Sequence, residues 1–217
     1  AGCCGALAYH TGDIERARLQ VRRNIDAWHH GLKDSEGLVV TASGCAAFLR
    51  DYPALCQDDP DYASRAAELA ERIRDVADFL APTQPAAPPS VALHLPCTLR
   101  HALGRAERLR KLLADSGWRL AETADDGQCC GSAGAYSLLF PATSNALRER
   151  KLAQLTAGEP GEILTANVGC RLHLAAGSDV PVRHWIELWD ELEAATGQAT
   201  PAAEQNTATT DPETLRE

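Results

Sequence analysis

The sequence CCGSAGAYSLLFPATSNALRERKL occupies residues 129–152, and its first three residues are a cysteine pair followed by glycine. In a regular strand, neighbouring side chains face opposite sides, so adjacent thiols cannot both face one point there. Cys129 and Cys130 can act together only in an irregular turn, which Gly131 permits because glycine tolerates unusual backbone angles. The triplet therefore predicts a sharp turn that presents two thiols to a common site.

Regular structure is predicted to follow this turn. Ser144 is placed to cap a helix that continues to Leu155. Residues 163–166 form a short apolar run, typical of a strand that is buried on both faces. This strand leads into a turn of small residues that ends in Gly-Cys, at Cys170.

The same elements occur earlier in the chain, in the same order. A Cys-Cys-Gly triplet at residues 3–5 precedes a helix that Asp13 can cap, a short apolar strand at 38–41, and a Gly-Cys turn that ends at Cys45. From the second cysteine of the triplet to the cysteine of the turn, the spacing is 41 positions in the first copy and 40 in the second. This match indicates an internal duplication.

A further cysteine precedes the second triplet. Cys97 follows a predicted strand at residues 91–95, and thirty-one residues lie between Cys97 and Cys129. Its counterpart in the first copy would lie before residue 1, so the first copy is expected to be truncated at its N-terminus. The absence of methionine, and the start of the chain directly on a cysteine motif, favour a fragment of a longer protein.

The remaining segments complete an α/β pattern with mainly parallel sheets flanked by helices. Asp59-Pro60 predicts a helix start, and the apolar spacing continues this helix to Leu80. Further predicted elements are a helix at 105–114, a strand at 118–122 and a last helix carrying Trp185, Leu188, Trp189 and Leu192 on one face.

Four prolines at 81–90 indicate a linker between two units. The predicted units are a partial first module at 1–80, the linker at 81–90, a second module at 91–196 and a disordered tail at 197–217.

Seven cysteines occupy corresponding ends of these elements and are the candidate metal ligands: Cys3, Cys4, Cys45, Cys97, Cys129, Cys130 and Cys170. Thiolates are the usual ligands of iron–sulfur clusters. Ferredoxins hold their clusters with closely spaced cysteines, but no C-x-x-C occurs in this chain, so distant segments must supply the ligands. A disulfide scaffold is disfavoured, because such scaffolds are short, loop-rich and secreted, whereas this chain has a helical pattern and no signal peptide.

Composition excludes two other classes of function. The net charge is −9 and no basic stripe is present, which argues against nucleic-acid binding. The apolar runs are far shorter than the ~20 residues that a membrane helix needs. We therefore expect neither a nucleic-acid partner nor a membrane span.

Four other residues have both a structural and a functional interpretation. Cys56 has no partner in the repeat and is expected to be a buried structural thiol. His173 forms C-x-x-H with Cys170, a spacing that can reach a metal, although a core position or one beside the ligands is the simpler interpretation. His94 lies on a predicted strand and is expected to be packed or hydrogen-bonded, and His184 is expected to cap a helix or lie at the surface.

These motifs resemble the CCG, or cysteine-rich, domain family. That family includes the B subunit of heterodisulfide reductase and iron–sulfur subunits of flavin-linked dehydrogenases, and within it the likeness is greatest to the glycolate oxidase iron–sulfur subunits. The resemblance is carried by residues 129–152, by TANVGCRLHL at 165–174, by PVRHWIELWD at 181–190 and by HLPCTL at 94–99. Residues 3–13 and 42–45 extend it to the first copy.

The resemblance implies an electron-transfer subunit with an iron–sulfur cluster, of the 4Fe–4S type, in a complex that oxidises glycolate to glyoxylate. A flavoprotein dehydrogenase partner would carry FAD and take the hydride, and a ferredoxin-like domain would precede this chain. The complex would be cytoplasmic or peripheral to the inner membrane. Oxidation of lactate or glycerol 3-phosphate, or a heterodisulfide-reductase-like role, is the alternative within this class.

One departure from the family pattern bears on the metal. The fuller pattern ends in C-x-x-C, but Ala42 and Asn167 replace the first of those cysteines in the two copies. This disfavours a five-cysteine cluster and leaves open a four-thiolate site or a metal other than iron. The rival from another class is a non-redox assembly module whose cysteines bind structural zinc.

Overall fold

Two parallel sheets flanked by helices organise the chain, which confirms the predicted α/β class. A computed structural model describes residues 2–84, 90–123 and 127–196, with the side chains of 195 and 196 excluded. Part of the predicted linker (85–89) and the predicted tail (197–217) lie outside the described residues. The division into the units proposed above therefore stays a prediction.

The first copy contains a two-stranded sheet and five α-helices, followed by a short 3-10 helix at Val76–Asp78. In chain order these elements are α1 (Ala6–His10), α2 (Ile14–Lys33), β1 (Leu38–Val40), α3 (Ser43–Arg50), α4 (Tyr52–Cys56), α5 (Ala63–Glu71) and β2 (Ile73–Asp75). The Asp13 side chain accepts a hydrogen bond from Arg16 N at 3.2 Å and caps α2, as the sequence predicted. Helix α2 buries Ala17, Val21, Ile25 and Leu32, which recur at intervals of four or seven residues along one face.

The predicted long helix from Asp59-Pro60 to Leu80 is wrong. Helix α5 ends at Glu71, and residues 73–75 form β2, parallel to β1. The apolar residues at 69, 73 and 76 fit a helical spacing, but pairing of Ile73 with Leu38 satisfies the backbone of both strands. Tertiary hydrogen bonding here outweighs local periodicity.

The second copy contains a four-stranded sheet. Its elements are β3 (Ser90–His94), a helical turn (Thr98–Ala102), α6 (Ala106–Asp115), β4 (Arg119–Leu120), α7 (Tyr136–Leu139), α8 (Pro141–Thr156), β5 (Glu162–Thr165), α9 (Val168–Ala175), β6 (Val182–His184) and α10 (Trp185–Thr196). The strand order is β4-β3-β5-β6 with every pair parallel. Strand β6 was not predicted from the sequence, and its three residues lie directly before the last helix.

The two copies share an element order around their cysteines. Helix α2, strand β1 and helix α3 in the first copy correspond to α8, β5 and α9 in the second. The cysteine of each Gly-Cys turn lies in the first turn of α3 or α9. The repeat predicted from spacing is therefore present in the succession of elements.

The two copies also pack against each other. Val21 and Ile25 belong to the same buried apolar cluster as Leu93 and Trp185. Ser43 N donates to Ala166 O at 3.0 Å, which joins the two Gly-Cys turns through their backbones. Across the described part of the chain, no helix has both the length and the apolar character needed to cross a lipid bilayer.

Candidate metal centre

The sheet register brings Cys97 and Cys170 to one edge. Strands β3 and β5 are parallel neighbours, and their last residues, His94 and Thr165, are paired. Cys97 follows β3 after Leu95-Pro96, and Cys170 lies in the first turn of α9, which follows β5. Because the carboxyl ends of parallel strands meet at the same edge, the two cysteines approach each other there.

The Cys-Cys-Gly turn is fixed by a close approach to helix α8. Gly131 has φ +92°, and a β-carbon there would lie 2.4 Å from the backbone oxygen of Ser144. The Ser144 hydroxyl donates to Gly131 O at 2.8 Å, and Gly131 N–H donates to Cys129 Sγ at 3.3 Å. Only glycine fits this position.

Ser144 does not cap helix α8, contrary to the sequence prediction. The helix begins at Pro141, whose fixed φ suits the first helical position and whose missing N–H costs nothing there. Ser144 is instead fully buried in the first turns and contacts Gly131 and His173. The serine therefore supports the cysteine turn rather than the helix end.

The thiols of the second copy form one hydrogen-bonded group. The hydrogen bonds of Cys130 with Cys129 and Cys170, followed by burial, raise its pKa, and the hydrogen bond with Cys129, followed by burial, raises the pKa of Cys97. Cys129 accepts from Cys130 and Cys97, so its pKa is lowered, and the hydrogen bond from Cys130 lowers the pKa of Cys170. A metal that binds here would displace the thiol protons of its ligands.

The structure therefore brings Cys97, Cys129, Cys130 and Cys170 together, although they span 73 positions in sequence. Cys130 and Cys170 are buried, Cys129 is half-buried and Cys97 is exposed. The site consequently extends from the interior to the surface. Their assignment as metal ligands stays a prediction.

A histidine that the sequence did not single out as a ligand lies at the inner end of this group. One ring nitrogen of His94, Cys130 Sγ and Cys170 Sγ all lie within 4.8 Å of one another. His94 is only 1 % exposed, and its Nδ1 lies 2.9 Å from the hydroxyl of Thr165. The available signal was its position at the end of β3, three residues before Cys97.

His173, which the sequence did consider as a ligand, is held by helix α8. Its Nε2 lies 3.2 Å from the Ser144 hydroxyl and 3.3 Å from the Ser144 carbonyl oxygen. The C-x-x-H spacing therefore places this ring beside the Cys-Cys-Gly turn, where it supports Ser144 and Gly131.

The first copy contains a smaller thiol group. The hydrogen bond from Cys4 lowers the pKa of Cys45 to about 7, and the same bond, with burial, raises the pKa of Cys4. Cys3 lies close enough to affect both neighbours. The structure thus brings Cys3, Cys4 and Cys45 together, and their assignment as ligands stays a prediction.

Buried polar side chains hold this first triplet. The Tyr52 hydroxyl donates to Cys4 O at 2.7 Å, and Asn24 Nδ2 donates to Cys3 O at 3.0 Å. Asn24 Nδ2 also lies 3.0 Å from the Tyr52 hydroxyl. Both side chains are almost completely buried, so the two cysteine backbones are anchored to α2 and α4.

Asn167 connects the two thiol groups. It precedes α9 in an extended conformation, but its side chain makes no capping hydrogen bond to that helix. Instead, Oδ1 accepts from Gly44 N at 3.1 Å and Nδ2 lies 3.4 Å from Cys170 Sγ. The residue that replaces a cysteine of the family pattern therefore donates toward one thiol group and contacts the helix that carries Cys45.

An apolar groove of about 390 Å³ lies between the two copies, with Cys3 in its wall. Leu7 of α1 and Leu138 and Leu139 of α7 line it, and all three side chains are more than half exposed. The thiol group of the first copy thus adjoins an apolar surface through Cys3.

The donor chemistry of the second group fits a thiolate-bound metal. Soft sulfur ligands select iron–sulfur clusters, zinc or monovalent copper over hard cations such as magnesium or calcium. The thiols converge on one another, and each thiol that ligates a metal must lose its proton, so metal binding here is expected to release protons. An iron–sulfur cluster and a zinc ion are both compatible with these residues.

Comparison with known proteins gives a consistent result. The model of the CCG cysteine-rich domain matches residues 1–50 and 91–175. The chain is 39 % identical over 197 residues to the glycolate oxidase iron–sulfur subunit of Escherichia coli and 31 % identical over 183 residues to a probable glycolate oxidase iron–sulfur subunit of Bacillus subtilis. These matches cover 88 % and 81 % of this chain.

The fraction of each relative's length that this chain covers differs between the relatives. The chain spans about half the length of the two glycolate oxidase subunits, 48 % and 41 %. It is 28 % identical to lactate utilization protein A of Bacillus velezensis and covers 76 % of that protein. The family model matches more than half of the chain in two segments, each with its own Cys-Cys-Gly triplet. The chain belongs to the CCG cysteine-rich domain family.

Proposed function

We propose that this chain is the electron-transfer part of a complex that oxidises a 2-hydroxy acid, and that it holds an iron–sulfur cluster, of the 4Fe–4S type, at Cys97, Cys129, Cys130 and Cys170. The observation that carries the proposal is the convergence of four thiols from three separate segments at one sheet edge. Four thiolates are a complete ligand set for such a cluster. Cys3, Cys4 and Cys45 would hold a second, incomplete site.

The residues of the chain have distinct roles in this proposal. An iron–sulfur cluster, when bound, accepts and releases one electron at a time. Buried Cys130 and Cys170 would hold its inner side, and exposed Cys97 would hold the side nearest to the surface. The Asn167 amide donates toward Cys170 Sγ and would stabilise added negative charge on that thiolate.

Glycolate is the proposed substrate of the complex. Two relatives with the higher identities are named as glycolate oxidase iron–sulfur subunits, which supports this assignment. A flavoprotein dehydrogenase subunit with FAD would remove two electrons from glycolate as glyoxylate forms, and this chain would accept them singly. A preceding ferredoxin-like domain would carry further clusters. The proposed location is the cytoplasm or the periphery of the inner membrane.

Lactate is the second candidate substrate, and one observation favours it. The chain covers 76 % of a lactate utilization protein A but only 48 % of the E. coli glycolate oxidase subunit. The two substrates can be separated by isolating the complex through this chain and measuring dye reduction with each acid. Faster reduction with glycolate supports the proposal, whereas reduction with lactate alone would replace it.

The rival proposal from another class is a zinc-binding assembly module. The same four thiols would suit a tetrahedral zinc site. Protein purified without oxygen separates the two, because an iron–sulfur cluster gives broad absorption that dithionite bleaches, together with acid-labile sulfide. A colourless protein with stoichiometric zinc would refute the electron-transfer proposal.

A further inference from the structure

The segment that carries Cys45 is held by the second copy. Residues 41–44 lead from β1 into the first turn of α3, and hydrogen bonds from second-copy residues converge on them. Ser43 N donates to Ala166 O at 3.0 Å, and the Ser43 hydroxyl lies 2.8 Å from the Thr98 hydroxyl. Ser43 is only 1 % exposed, so this attachment lies in the interior.

The second-copy residues that make these attachments are close in sequence to its thiols. Thr98 directly follows Cys97. Asn167 lies three positions before Cys170. A metal that fixes the thiols of the second copy would therefore also fix the groups that hold the turn of Cys45.

The Asn167 amide makes the most direct of these connections. Its Oδ1 accepts from Gly44 N at 3.1 Å, and its Nδ2 lies 3.4 Å from Cys170 Sγ. Because a backbone N–H can only donate, the amide oxygen must face Gly44, and the amide nitrogen then faces the sulfur. One planar group thus joins the helix turn of Cys45 to a thiol of the second copy.

Close packing leaves this amide little freedom to move independently. A β-carbon on Gly44 would lie 3.0 Å from Asn167 Oδ1, and a β-carbon on Gly169 would lie 3.5 Å from Asn167 Nδ2. Glycine backbone therefore lies close to both polar atoms of the amide. Since tightly packed groups transmit displacement, a shift of Cys170 Sγ that the amide follows would reach the Gly44 backbone.

We propose that Asn167 couples the two thiol groups, so that metal binding by the second copy strengthens metal binding by the first. This deepens the proposed function and rests on metal binding at the second copy. A bound metal immobilises Cys170 Sγ, which fixes the Asn167 amide and, through Gly44, the turn of Cys45. The first group then loses less conformational freedom when it binds its own metal, so its affinity rises.

The test uses Cd²⁺ alone, added to the reduced, metal-free full chain, with amide resonances near each thiol group reporting the occupancy of that group. Asn167 contacts a ligand sulfur and not a metal, so cadmium held by four thiolates can stand in for a four-thiolate cluster. The affinity of the first group is measured with the second group filled in wild type and empty in the double variant Cys129→Ser/Cys130→Ser. We expect at least about fivefold tighter binding by the first group when the second is filled.

Substitutions of Asn167 separate coupling from simple support. Asn167→Ala removes both contacts, whereas Asn167→Asp retains an acceptor for Gly44 N and loses the donor to Cys170 Sγ. Loss of support alone would weaken the first group by the same factor whether the second group is filled or empty. Loss of coupling reduces the ratio of the two affinities, and we expect that ratio to fall by at least about half in both variants.

Cys56→Ser is the matched control, because Cys56 is a buried thiol outside both groups. Its affinity ratio should equal that of wild type. Circular dichroism confirms that each variant is folded. The Gly44 amide resonance of wild type provides a check that needs no variant, and it should shift as the second group fills.

Three results would overturn the proposal. They are a ratio near one in wild type, an unchanged ratio in either Asn167 variant, and a Gly44 resonance that does not move while the second group fills. The first and third are decisive even if a variant does not fold. Failure of the proposed function is distinguishable: a chain that shows this coupling with Cd²⁺ but takes up no iron or sulfide would retain this inference and refute electron transfer.

Discussion

Substitution of Gly131 by alanine should be unusually destabilising. The glycine has φ +92°, in the left-handed region, where a residue with a side chain costs about 1–2 kcal/mol. A new methyl group would also lie 2.4 Å from Ser144 O, an atom of the α8 backbone that cannot rotate away. Forced overpacking of this kind costs about 1–3 kcal/mol. We therefore expect Gly131→Ala to lower the free energy of unfolding by about 2–5 kcal/mol, a large share of the ~5–15 kcal/mol typical of a domain.

Gly134→Ala is the matched control for this measurement. Gly134 also has a positive φ, +58°, but nothing lies within 4 Å of the added methyl group. Gly134→Ala should therefore lower the free energy of unfolding only by the conformational cost of about 1–2 kcal/mol. Urea unfolding of the reduced, metal-free protein, followed by far-ultraviolet circular dichroism, gives both values. Free energies for the two variants that agree within about 1 kcal/mol would refute the close packing of the Cys-Cys-Gly turn against α8.

Three further predictions concern the surroundings of the thiols. Asn167→Ala removes a hydrogen-bond donor to Cys170 Sγ, so the reduced centre, which carries more negative charge, loses stabilisation. Its midpoint potential should fall by on the order of 40 mV, the equivalent of ~1 kcal/mol for one electron. An unchanged or higher potential in a redox titration would contradict this role. Tyr52→Phe leaves the Cys4 carbonyl without its donor and should lower the free energy of unfolding, measured in urea, by about 1–3 kcal/mol. A loss below about 0.5 kcal/mol, the smallest net contribution typical of a hydrogen bond, would show that the bond is unimportant. Removal of metal should lower the melting temperature, because a ligand at ~1,000 times its dissociation constant stabilises the native state by about 4 kcal/mol; equal melting curves for metal-free and metal-loaded protein would argue against a structured site.

Much of the fold was predictable because the helical and strand signals were local. The Asp13 cap and the apolar face of α2 appear in the structure as the sequence indicated. Strand β2 was missed because Ile73 fits a helical spacing equally well, and only pairing with Leu38 distinguishes the two. Strand β6 was missed because three residues carry too weak a pattern.

The composition of the thiol groups was predictable from the repeat, but their surroundings were not. Matching spacing in two copies indicated which cysteines belong together, because a duplicated sequence conserves the order of its elements. His94 and Asn167 approach the thiols through sheet register and through packing between the copies. Both depend on contacts between residues far apart in sequence, which a one-dimensional pattern does not contain. Ser144 was misassigned as a cap for the same reason, since its partner Gly131 lies thirteen residues away.

The most direct test of the account is the content of iron and acid-labile sulfide in protein purified or reconstituted without oxygen. The comparison includes wild type, Cys130→Ser and the control variant Cys56→Ser. Cys56 is a buried thiol at the end of α4, packs in the apolar core and does not belong to either thiol group. The account predicts iron and sulfide with absorption that dithionite bleaches in wild type and Cys56→Ser, and a clear loss of iron in Cys130→Ser. Equal iron in the two variants, or stoichiometric zinc without sulfide in wild type, would contradict it.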